Sequence, residues 1–233
     1  MRMPSDKEAN KPVFDIDPAF GEMAVAMGQA TWSIPNLSQR EKALVCLMYD
    51  ICLRDFGLPF EMHVQMALAN DVPLADVHQA ILFSAVDAGH PTTLGALARF
   101  KEICGKLSLE VPRESSETTS SSIDYFCDLP PLALDKDLAE MWRTPMAGFW
   151  SGGGLSAKER SYLCLVANVA QRTLDVSFAH HVHLARTNGA DANALNALMR
   201  FMSEFGFSKA WAGATALARI LRSESAVSRQ RAS

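Results

Sequence analysis

The sequence has no run of 18 apolar residues, no C-x-x-C pair, no block of like charge and almost no alternating β-branched stretch. Each absence removes a class of protein. Without a long apolar run there is no candidate membrane-spanning helix. Without paired cysteines, neither a zinc knuckle nor a disulfide framework is indicated. The cysteines, Cys46, Cys52, Cys104, Cys127 and Cys164, are odd in number and widely spaced. Cys46 and Cys52 fall in an apolar helical run, where a thiol behaves as a small hydrophobe. Charge is balanced, with 22 basic and 26 acidic residues for a net charge of -4. That argues against nucleic acid or an anionic membrane as partner and for a small molecule or another protein. Residues 1–11 are polar and charged, unlike a secretory leader, so a soluble, cytoplasmic protein is expected.

What the sequence does contain is a duplication. Sliding the chain by 118 residues aligns 17–103 with 135–221 without a gap. Roughly one aligned pair in five is identical, about three times the chance rate. The matches include rare residues, Trp32 with Trp150, Cys46 with Cys164 and His63 with His181, and the clusters Leu37-Ser38-x-x-Glu41 and Leu155-Ser156-x-x-Glu159. Between the copies, 113–122 is almost entirely Ser, Thr and Glu, too polar for a core. The expected organisation is a first repeat over 1–107, a mobile linker over 108–129 and a second repeat over 130–233.

Each copy is expected to hold about five helices. In the first copy they cover 17–31, 38–56, 59–70, 74–88 and 91–106. Ser38 and Glu41 form a capping box, and Leu44, Leu47, Met48 and Ile51 recur at helical spacing. Pro59 and Pro73 suit helix starts, and Asn188-Gly189 separates two helical patterns rather than two strands. The fold class is all-α.

Chemistry is best sought on the third helix. Phe60, His63, Ala67 and Asn70, matched by Phe178, His181, Ala185 and Asn188, fall at i, i+3, i+7 and i+10, one helix face. A face kept twice around a histidine is either a packing contact or a site. Lys42 and Arg160 occupy equivalent first-turn positions, where a cation is unfavourable unless a carboxylate or an anionic ligand compensates. His180, His181 and His183 do not read as a metal centre, because only His180 and His183 share a face.

These segments resemble the carboxymuconolactone decarboxylase family. Met62-His63-Val-Gln-Met-Ala67-Leu-Ala-Asn70 and the downstream Asp87-x-Gly89-x-Pro91 are similar to its H-V-x-x-A-L-x-x-G core and Y-x-G-x-P segment. Leu37-Ser-Gln-Arg-Glu-Lys42 and Leu155-Ser-Ala-Lys-Glu-Arg160 resemble its L-S-x-x-x-R motif. The resemblance implies an all-α fold of two tandem units, site histidines His63 and His181, and no cofactor or metal. It also implies assembly, here as a homotrimer whose six repeats imitate a hexamer. The family's peroxidase branch places cysteines seven and four residues before the histidine; this chain has Phe56 and Pro59, and Leu174 and Ser177. A glutamate that the family often carries after the motif's arginine is replaced by Ala43 and Ser161. The expected activity is a cofactor-free decarboxylase, lyase or isomerase acting on a small carboxylated, lactone-like metabolite. His63 and His181 would move protons, Lys42 or Arg160 would hold the carboxylate, and Trp32 or Trp150 would exclude water. A non-catalytic ligand- or protein-binding duplicate is the alternative, and a thiol peroxidase using Cys46 or Cys164 a third. The first copy is expected to be the more active, because Asp87, Gly89 and Pro91 would lie beside its own pocket.

Overall fold

The described residues of the computed structural model, 10–112, 125 and 135–232, form eleven α-helices and one 3₁₀ turn, with no strand among them. The first repeat contains α1 (Lys11–Ile16), α2 (Pro18–Trp32), α3 (Gln39–Leu53), α4 (Leu58–Ala69), α5 (Leu74–Phe83) and α6 (His90–Lys106). The second contains α7 (Lys136–Ser151), α8 (Ala157–Gln171), α9 (Val176–Thr187), α10 (Ala192–Phe201), the 3₁₀ turn Met202–Phe205 and α11 (Phe207–Ala232). The segment expected to be the most mobile, 113–122, lies outside the described residues. The fourth helix stops at Phe83 rather than near residue 88; the chain continues through turns in which Ser84 O accepts from Asp87 N and Ala88 N.

Both capping boxes form. Ser38 accepts from Glu41 N while the Glu41 carboxylate accepts from Ser38 N, and Ser156 and Glu159 repeat the arrangement. Both helices also stop at equivalent left-handed residues, Arg54 at φ 57° and Arg172 at φ 62°. The identical glycines Gly95 and Gly213 are explained by close packing. A Cβ there would come within 2.8 Å of the Phe56 ring or 2.7 Å of a Val169 methyl, nearer than packed side chains tolerate.

The centre of the molecule is α3 packed against α8. Both are buried on nearly every side, α3 from Glu41 to Ile51 and α8 from Glu159 to Ala170, which is why their apolar residues do not form a single stripe. One continuous core spans both repeats. The contacts across it come in equivalent pairs. Trp32 meets Phe201 edge-on at 5.9 Å between ring centroids, and Trp150 meets Phe83 at 5.6 Å. Arg40 bonds Glu159 at 2.6 Å, and Lys158 bonds Glu41 at 2.7 Å. The two repeats therefore face each other as the halves of a symmetric dimer would.

Candidate functional site

His63 and His181 lie in equivalent pockets, each lined by groups from both repeats. In the first, α4 presents His63 toward α3, where Asp50 Oδ2 lies 2.5 Å from His63 Nδ1. The far wall comes from the second repeat. Phe205 packs edge-on to His63 at 6.0 Å and stacks on Tyr49 at 4.6 Å, and Glu204 Oε2 accepts from the Thr31 hydroxyl at 2.7 Å. The His63 side chain is 14% exposed.

The electrostatics of this pocket favour holding protons. Burial works against a charged His63, but the hydrogen bond and charge of Asp50, with Glu204 and Asp55 beyond, leave the imidazole above its ordinary value. Asp50 is raised because burial outweighs the help of His63, and Glu204 is raised by burial with only Thr31 and His63 opposing. Three acidic or basic groups thus meet in one poorly solvated space, and each binds its proton more tightly than in water.

The second pocket keeps the geometry but has an amide where the first has the carboxylate behind Nδ1. Asn168, the counterpart of Asp50, donates through Nδ2 to Thr173 Oγ1 at 2.8 Å and Ser177 Oγ at 3.1 Å. Its oxygen is thereby turned to His181 Nδ1, 2.6 Å away, so Nδ1 carries the hydrogen and Nε2 accepts from the Tyr125 hydroxyl at 2.8 Å. Burial and neighbouring His180 push His181 down to about 3. The imidazole is neutral at any ordinary pH and 1% exposed. Asp87, from the first repeat, reaches this pocket, within 4.8 Å of Cys164 and His181.

This crossing overturns one expectation. The segment carrying Asp87 and Gly89 was expected beside His63, but Asp87 faces His181, and Phe205 of the second repeat faces His63. The helix end after α5 and the 3₁₀ turn after α10 each cross the central α3–α8 pair into the other repeat's pocket.

A family profile matches both halves: that of the carboxymuconolactone decarboxylase family covers residues 18–102 and 137–219. The chain belongs to the carboxymuconolactone decarboxylase family. No curated protein matches the sequence. As a carboxymuconolactone decarboxylase family member it has two tandem all-α units, with His63 on α4 and His181 on α9. No helix among the described residues is long and apolar enough to cross a membrane.

The cations expected to hold a substrate lie elsewhere in this family member. Lys42, 1% exposed, donates to Trp32 O at 2.6 Å and Ile34 O at 2.8 Å. Arg160, 2% exposed, donates to Phe149 O at 2.9 Å, to Gly153 O at 3.4 Å and to Leu155 O and Gly152 O. Ile34 and Gly152 are equivalent positions, so both cations close the same loop at the end of α2 or α7, where unpaired carbonyls carry partial negative charge. A ligand carboxylate would have to take these donors from the backbone. Trp32 and Trp150 are buried against Phe201 and Phe83, and Trp150 also lies 5.6 Å from Tyr125. Burial pushes the Cys46 and Cys164 thiols well above their ordinary value, the opposite of what a peroxidatic thiol needs.

Sequence reasoning missed Asp50, Asn168, Glu204 and Tyr125. Asp50 and Asn168 escaped because the search was for identity, and this pair differs. Their signal was a short polar residue in the middle of an otherwise apolar helix. Glu204 aligns with Val86 and becomes visible only once the repeats are folded together.

Proposed function

We propose that the His63 pocket is a cofactor-free acid/base site that moves a proton at carbon in a small carboxylated metabolite, in a lyase, decarboxylase or isomerase reaction. The observation that carries this reading is the hydrogen-bonded Asp50–His63 pair, mostly buried beside Glu204 with the His63 side chain still 14% exposed. With Nδ1 held by Asp50, Nε2 is the nitrogen that works on substrate, and the carboxylate offsets the charge of the imidazolium formed when a proton is taken. Glu204, raised above the ordinary carboxylate value by burial, is the acid that returns a proton, the role left open by Ala43 where the family often has glutamate. Lys209, with Nζ 5.5 Å from the Tyr49 ring centroid on the same wall as Phe205, supplies the carboxylate's counter-charge in place of Lys42 and Arg160.

The test is to incubate the chain with carboxymuconolactone-type acids and related lactone acids, following carbon dioxide release and double-bond position. Turnover that falls by about 10²–10⁴ in His63→Asn supports the assignment. Full activity in folded His63→Asn removes the imidazole from the mechanism and leaves the ligand-binding alternative.

The same reading includes assembly as a homotrimer. Phe20 and Met23 on α2 are exposed, and so are their counterparts Leu138 and Met141 on α7. Equivalent apolar faces on both repeats are what a six-repeat ring would cover. Light scattering at micromolar concentration should give three times the chain mass; a monomeric mass counts against it.

A further inference from the structure

The second pocket gathers a carboxylate, a thiol and an imidazole that the proposed reaction does not use. We propose that Asp87, Cys164 and His181 form a binding site for a divalent transition-metal ion, with Zn²⁺ the best match to the donors. One ligand atom from each lies within 4.8 Å of the others, and no other set of His, Cys, Asp and Glu among the described residues lies so close. A tetrahedral Zn²⁺ at about 2.0–2.3 Å from each ligand needs about 3.3–3.8 Å between them, so side-chain shifts of the order of 1 Å bring the three protein ligands into place, with solvent as the fourth ligand. The mixture of thiolate, imidazole and carboxylate suits zinc better than the all-oxygen sets of magnesium or calcium.

Three further observations point the same way. Asp87 Oδ2 is buried without a hydrogen-bond partner, a costly state for a carboxylate oxygen unless something binds it. Asp87 itself is positioned from the other repeat, its carbonyl accepting from Gln171 Nε2 at 2.9 Å. Asn168 holds His181 by Nδ1, as outer-shell carbonyls hold metal-bound imidazoles, and so directs the Nε2 lone pair to the ion. To bind, that lone pair exchanges the Tyr125 hydroxyl for the metal.

Charge completes the argument. Burial raises Asp87 to about 6 against the help of a hydrogen bond with Cys164, and burial together with Asp87 raises the Cys164 thiol well above its ordinary value. A divalent ion matches one carboxylate and one thiolate, with His181 contributing no charge. Binding takes the proton from Cys164, forms the metal–sulfur bond and releases that proton to solvent. The first pocket has the equivalent Cys46 and His63 but Phe205 where the second has Asp87.

Cobalt titration of the untagged, chelator-treated full chain tests this independently of any enzymatic activity. The expected result is one Co²⁺ per chain with a thiolate-to-cobalt charge-transfer band, both displaced by Zn²⁺. The band should vanish in Cys164→Ser. Affinity should fall by about 10–100-fold or more in Asp87→Asn and stay unchanged in His63→Asn. Calorimetry in buffers of different ionisation enthalpy should show release of about one proton per ion near neutral pH. No binding, binding without the charge-transfer band, or a band that survives in Cys164→Ser overturns the site. Should Cys164→Ser not fold, unchanged affinity in Asp87→Asn overturns it.

Discussion

The two histidine pockets share a backbone and differ by a handful of side chains, and those few change the electrostatics completely. At one position an Asp in the first pocket becomes an Asn in the second. His63 is held above its ordinary value and His181 is driven down to about 3. At another, Val86 aligns with Glu204, so only the first pocket receives a crossing glutamate. His63 in the first keeps 14% of its side chain exposed, whereas Tyr125 caps His181 in the second. Imidazole position alone therefore says little about acid/base competence; the residue behind Nδ1 and the access to Nε2 decide it.

The largest effect should come from substituting the histidines in turn. His63→Asn should lower turnover by about 10²–10⁴, while His181→Asn should leave turnover near that of the parent and cost about 1–3 kcal/mol of stability through a disturbed buried network. Equal kinetic losses in the two variants would break the comparison.

Converting one pocket toward the other sharpens it. Asn168→Asp places a carboxylate against His181 Nδ1, and NMR titration should find that imidazole raised by about 1–3 pH units. An unmoved His181 would mean that burial and His180, rather than the missing carboxylate, set its state.

Stability against pH gives the third comparison. His63 has a raised folded value, so its contribution is fully present below about 6.5, its unfolded value, and is lost as pH rises through the folded value. His181 has a depressed folded value, so its contribution is present above about 6.5 and is lost as pH falls toward about 3. Each slope is at most about 1.4 kcal/mol per pH unit. Denaturant titrations of His63→Asn should show a weaker decline on the alkaline side, and those of His181→Asn a weaker decline on the acid side.

Much of this architecture was legible before folding. The capping boxes and the proline starts placed α3, α4 and α8 within a few residues, because short-range chemistry decides helix ends. The crossing was not legible. The expectation that Asp87 serves His63 assumed that each repeat closes its own pocket, yet α3 and α8 expose no free face and bury their ends against each other's repeat. Lys42 and Arg160 were singled out as first-turn cations that would need compensation. The charge that favours them is that of adjacent Glu41 and Glu159, as the residue pattern suggested; the loop carbonyls that take their hydrogen bonds are what no residue pattern advertises, because every residue has one.

The smallest expected effect concerns the paired ion bridges. Arg40 also donates to Asp76 Oδ2 and Gly154 O, each at 2.6 Å, whereas Lys158 makes the single bridge to Glu41 and is one-third exposed. Arg40→Met should therefore cost about 1 kcal/mol, and Lys158→Met only a few tenths after solvent screening. Thermal unfolding of the two variants resolves the order; a larger loss in Lys158→Met reverses it.

The crossing of the segments after α5 and α10 also bears on how such a chain can change over generations. In a dimer of identical subunits every substitution appears in both active centres, so neither can specialise while the other stays intact. Here the two copies are joined, so Asp50 and Glu204 act on His63 while Asn168 acts on His181. Covalent fusion has thus separated two inheritances that symmetry would keep identical, so that either centre can change without disturbing the other.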